Sequence, residues 1–167
     1  MTSQCAATTL ATFHHYVERI DAVVAKIAAL PNAKTLLAQK AIPDSFTAGR
    51  QLGVALYFAA RGVYRVAGME MPPFPNDFDP QTLRALAADL NRALTHVAPS
   101  DLNEEKVAHK AGFAELAQEP LDYMIRFALP NMIFHFSMGY AALRAAGAPL
   151  GKADFDGLHA YPDGFSF

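Results

Sequence analysis

The apolar positions Leu10, Phe13, Val17, Ile20, Val24 and Ile27 step by 3, 4, 3, 4 and 3 along the chain, with Glu18, Asp21 and Lys26 between them. That spacing draws one stripe on an α-helix and predicts a first helix ended by Pro31-Asn32. Past a loop containing Ala41-Ile-Pro-Asp44, residues Leu52, Leu56, Ala59, Val63 and Val66 repeat the pattern as far as Gly68. Prolines at 72, 73, 75 and 80 then deny the backbone the donors that a helix or sheet interior needs, so this stretch reads as a connector. Asp79-Pro80 joins an N-cap acceptor to a proline at the first helical position. Leu83, Leu86, Leu90, Leu94 and Val97 carry a third stripe, closed by Pro99-Ser100-Asp101. The fourth stripe opens at Glu119-Pro120 and runs through Leu121, Ile125, Leu129, Met132, Phe136, Tyr140 and Leu143 to Gly147. Pro130 in its middle predicts a kink, or a split near Leu129. In the least helical interval, 102–119, Lys106-Val-Ala-His109 and Phe113-Ala-Glu-Leu116 flank Ala111-Gly112 in the manner of a short hairpin.

Four amphipathic helices, each with one apolar stripe, bury those stripes most economically against one another. The expected fold class is all-α, a four-helix bundle with a short hairpin before the last long helix. No internal repeat, low-complexity tract or G-x-G-x-x-G loop argues for a solenoid or a nucleotide-binding α/β fold. Alanine supplies 32 of 167 residues, which reinforces the helical reading. The length suits one domain spanning 1–167, with a radius of gyration of roughly 15 Å. The chain from Lys152 onward reads as loop, and the tail 156–167, preceded by Phe155, carries Tyr161, Phe165 and Phe167. Such a density of aromatic rings is expected to pack on the body or on a partner subunit.

Charge narrows the partners. With 14 basic and 16 acidic side chains the formal net charge is -2, which argues against a protein built to grip nucleic acid or an anionic membrane. The most apolar stretch, Phe127 to Leu143, is interrupted by Pro130, Asn131, His135 and Ser137 and is too short to span a bilayer. The first residues lack the basic and apolar blocks of a secretory leader, which predicts a cytoplasmic protein. A lone Cys5 excludes an internal disulfide.

The candidate chemistry lies with the six histidines, none of which is spaced i, i+4 from another. Two readings are open. In the first, His135, with small Gly139 and Ala142 nearby, faces a ligand pocket shared with Asn131 from its own helix and with Gln51, Tyr57 and Tyr64 from the second. In the second, His14 and Glu18, four apart on the first helix, join His135 in a nitrogen and oxygen shell for a divalent metal such as zinc, nickel or iron. There is no G-x-S-x-G elbow, no H-E-x-x-H, and no pair of E-x-x-H motifs for a di-metal bundle site.

The string Phe127-Ala-Leu-Pro-Asn-Met-Ile-Phe-His135, followed by Ala141-Ala-Leu-Arg144 and Pro149-Leu-Gly-Lys-Ala-Asp-Phe155, resembles the C-terminal signature of a bacterial domain-of-unknown-function family, number nineteen ninety-three. Ile42-Pro-Asp44 with Gln51 seven residues on, and Gly68-Met-Glu-Met-Pro-Pro-Phe74, extend the likeness over most of the chain. That family belongs to the DinB/YfiT-like superfamily. The resemblance implies a DinB-type four-helix bundle, a homodimer, and no established activity. It also implies that better-studied relatives hold a divalent metal with three histidines, two of them spaced H-x-x-x-H on the last long helix, and that some are thiol-dependent transferases. Here the position four after His135 is Gly139, and Tyr57 stands where the closer family carries an acidic residue. The resemblance therefore implies a bundle whose metal triad is degraded. The expected function is binding of a small molecule or another non-catalytic role; the alternative is a metal-dependent transferase or hydrolase with a rearranged shell around His135.

Overall fold

The periodic segments do become helices, and two of the starts carry a side-chain cap. In the computed structural model, which describes residues 3–162, helix α1 runs Ser3–Ala28, a short α2 covers Ala33–Leu37, and α3 spans Ala48–Tyr64. The α3 N-terminus is capped by the Thr47 hydroxyl, which accepts from the Arg50 amide at 3.4 Å. Its far end closes where the Met69 amide donates to the Tyr64 carbonyl at 2.8 Å, with Gly68 at φ +66°. Helix α4, Pro80–His96, starts as its sequence demands: Asp79 accepts from the Thr82 amide at 2.8 Å and Pro80 occupies the first turn. Those hydrogen bonds to the backbone hold the Asp79 carboxyl below its ordinary range.

The hairpin forms, shifted by one to two residues. Strands β1, Val107–Ala111, and β2, Ala114–Gln118, pair antiparallel with Ala111 opposite Ala114. This leaves Gly112-Phe113 as a two-residue turn, and Gly112 takes φ +59°, a backbone shape that favours glycine at the first turn position.

The last long helix is split as Pro130 dictates. A single turn, α5, Pro120–Asp122, runs into a π-helical turn over Tyr123–Ala128, and the regular helix α6 covers Leu129–Ala145. The wider turn shifts the register of the stripe. Ile125, expected inside, is 40% exposed, while Tyr123, Met124 and Ala128 are fully buried in its stead. From Met132 onward the stripe regains its face, and Met132, Phe136 and Leu143 are buried.

The expectation of loop from Lys152 is corrected by a short helix, α7, Lys152–Asp156, which packs on α1. Its Phe155 stacks on Phe136, ring centres 4.5 Å apart, and meets Tyr140 and Tyr16 edge-on or tilted. His15 donates from Nε2 to the Asp156 carbonyl at 2.7 Å and ties α1 to the end of α7. Of the remaining tail aromatics, Tyr161 stacks with His159, while Phe165 and Phe167 lie outside the described residues.

Two helix pairs dominate the packing, α3 with α6 and α1 with α4, and α3 also touches α4 to close the bundle. Glycines set how near the pieces come. A Cβ at Gly139 would stand 3.1 Å from Leu52 and 3.2 Å from the Ala48 carbonyl, so the missing side chain lets α6 seat closely on α3. A Cβ at Gly53 would meet the Phe78 ring at 2.2 Å, which is how the proline-rich connector lies against α3. No helix among the described residues is long and apolar enough to cross a membrane.

Candidate functional site

His135 is placed by the close α3–α6 pairing. Its Nδ1 donates to Oε1 of Gln51 at 2.6 Å, from one helix to the other, and Gln51 is only 4% exposed. With Nδ1 carrying the proton, Nε2 keeps its lone pair and makes no hydrogen bond among the described residues. The ring stacks on Phe58, with centroids 5.5 Å apart and planes 12° off parallel. It lies nearly parallel to Phe46 as well, at 6.5 Å. Loss of water around the half-buried ring pushes its pKa below the ordinary 6.5, so the imidazole is neutral at physiological pH. Such a group can accept a hydrogen bond from a ligand N–H or O–H.

Phe46 connects this imidazole to a cavity of about 600 Å³ between α2, the start of α3 and the connector, whose wall includes Lys34, Arg50, Asp77 and Phe78. Arg50 lies over the Phe46 ring, 4.7 Å from its centroid. His135 itself stands behind Phe46 and does not line the cavity.

The other expected site residues scatter. Asn131 turns back along its own helix and donates from Nδ2 to the Phe127 carbonyl at 2.7 Å, beside the backbone that Pro130 and the π turn disturb. Tyr57 meets Phe74 edge-on at 4.7 Å and lines a second cavity, with Arg61 and Arg65, on another part of α3. Tyr64 is buried, and its hydroxyl pKa is raised mainly by that burial. Gln51 and His135 thus come together, while Tyr57 and Asn131 do not join them.

The metal shell fares differently. His14 and Glu18 approach to 4.0 Å on α1 and are 37% and 49% exposed in their side chains, an ordinary surface pair. Among the described residues no group of three or more histidine, cysteine, aspartate or glutamate side chains is gathered so as to hold a metal. His14, Glu18 and His135 are therefore not gathered around one ion among the described residues, and a side chain at position 139 would crowd Leu52 and the Ala48 carbonyl.

Arg61, Arg65 and His109 were not singled out as site residues from the sequence. The available signal was the pair of arginines four apart at the end of α3, after a run of apolar residues; their meeting with the hairpin is a long-range event that periodicity does not report.

Helix order, the hairpin and the split last helix define a bundle of the DinB class. The chain is similar to the crystal structure of a DinB family member from Shewanella denitrificans, with a TM-score of 0.74 at 24% identity over 92% of each chain. Residues 6–156 match the family described as Domain of unknown function (DUF1993), and the chain belongs to that family. Comparison with curated proteins gives no match.

Proposed function

We propose that this protein is a small-molecule-binding bundle that works without a bound metal, and that it acts as a homodimer. The observation that carries the reading is the 2.6 Å hydrogen bond between His135 and Gln51. A metal-ligating histidine commonly sits among other ligands, its second nitrogen held by an outer partner. Here the outer partner is present, but among the described residues no group of companion ligands is gathered with His135. What stays is a neutral acceptor backed by Phe58 and Phe46, a setting suited to a ligand with one donor and a flat apolar portion. Phe134 and Phe46, 57% and 46% exposed, both touch the His135 ring and supply apolar surface that a second copy would cover.

The reading is tested by nitrogen-15 NMR of the histidine rings. The expected spectrum has His135 protonated on Nδ1, unmoved by zinc or nickel, and shifted by members of a library of small flat amines and alcohols. Line broadening or shift of His135 on stoichiometric metal would favour the metal-dependent enzyme, and a ring that no compound moves would contradict ligand binding there.

A further inference from the structure

Against the hairpin, α3 builds a second pocket of different character. A cavity of about 670 Å³, well within the range of small-molecule sites, is walled by Tyr57 and Arg61 from α3, by Arg65 just past its end, and by His109, Lys110 and Glu115 from the hairpin. Three cations face one carboxylate, and that carboxylate, Glu115, is already paired with Lys110 at 3.1 Å. Neither Arg61 nor Arg65 forms an ion pair among the described residues.

Both arginines are held in place by other means. The Arg61 guanidinium lies over the rings of Phe58 and Phe127, at 5.3 and 5.2 Å, and Arg65 donates to the Ala108 carbonyl of β1 at 3.2 Å. His109, 6% exposed, donates from Nε2 to Gln118 at 2.7 Å and packs its ring on Phe127 and Tyr123. Of the lining side chains, Nε of Arg61 and Nδ1 of His109 are buried without a hydrogen-bond partner among the described residues, and behind them the buried Tyr123 hydroxyl lies beside the Arg61 guanidinium. Two such atoms on lining side chains leave polar capacity that the described residues do not use.

We propose that this cavity binds a small organic oxyanion, a phosphate ester or a carboxylate, with its charged head between Arg61 and Arg65 and its apolar body along Tyr57 and Leu116. Two fixed guanidinium groups without carboxylate partners are suited to the forked acceptor geometry of phosphate or carboxylate. His135 does not line this cavity, although it packs on the face of Phe58 that Arg61 also uses, and the proposal does not require a ligand at His135.

The test is calorimetric titration of the full chain with phenyl phosphate, benzoate, inorganic phosphate and benzyl alcohol. Saturable binding of phenyl phosphate or benzoate is expected, weakening as salt is raised, with the tighter of the two naming the head group; benzyl alcohol should bind at least about tenfold more weakly. Arg65→Gln and Arg61→Lys should each weaken the anion by about tenfold, the lysine variant preserving charge but losing the fork, while Lys26→Gln, which removes a surface cation paired with Asp154 outside the cavity, leaves the affinity unchanged. Circular dichroism checks that each variant is folded, and Arg65→Gln, at an exposed position, serves if Arg61→Lys is not. Benzyl alcohol binding as tightly as the anions, no binding of either anion, or anion binding unaffected by Arg65→Gln would overturn the proposal.

Discussion

Protonating His135 costs more in the folded protein than in the unfolded chain, because burial strips water from the cation and no carboxylate compensates. The folded pKa lies below the ordinary 6.5, so above that value the ring is neutral in both states and contributes no pH dependence. As pH falls through 6.5 toward the lower folded value, the unfolded chain binds the proton first and stability drops. Urea denaturation between neutral and mildly acid pH should show that decline, and His135→Asn, which keeps a donor for Gln51 but does not titrate, should flatten it. An unchanged pH profile in the variant would place the effect elsewhere. Phe136, fully buried and stacked on Phe155, anchors the same helix; Phe136→Ala should cost about 3–5 kcal/mol in the same assay.

Helix positions were legible because the buried residues repeat at helical spacing: Leu10 to Ile27 and Leu52 to Val63 are inside as their stripes require. Where the spacing misled, a local cause is visible. Ile125 is exposed because the π turn over Tyr123–Ala128 departs from 3.6 residues per turn, and no apolar pattern announces such a turn beforehand. The α3–α6 contact explains Gly139 in the same terms. Restoring a second histidine by Gly139→His would drive its Cβ against Leu52 and the Ala48 carbonyl. Thermal and denaturant unfolding should show a loss of about 1–3 kcal/mol, with no gain in metal binding. A stable, metal-loaded variant would mean that α3 and α6 separate more readily than their packing suggests. At the start of α4, Asp79→Ala should lower the melting temperature by removing the acceptor for Thr82, and Asp79→Ser should recover most of the loss.

The bundle architecture was readable from four stripes, and the likeness to a DinB family structure over 92% of each chain agrees with it. The candidate site was readable only in part. Gln51 and His135 meet across two helices as their shared facing suggested, but Tyr57 and Asn131 were misplaced because side-chain direction depends on neighbours distant in sequence. The hairpin that completes the arginine-lined cavity lies more than forty residues from α3 along the chain, beyond the reach of periodicity. Association belongs to this level too. Light scattering at micromolar concentration should give the mass of two chains, and Phe134→Glu, placing charge on the exposed ring position beside His135, should shift the mass toward one chain. A native protein that stays monomeric would contradict the dimer.

Whether the bundle holds a divalent metal is decided by elemental analysis of protein purified without a histidine tag, alongside His135→Ala. The donor geometry predicts zinc, nickel and iron far below one ion per chain in both proteins, with no thermal shift when metal is added. Near-stoichiometric metal that disappears in His135→Ala would contradict it.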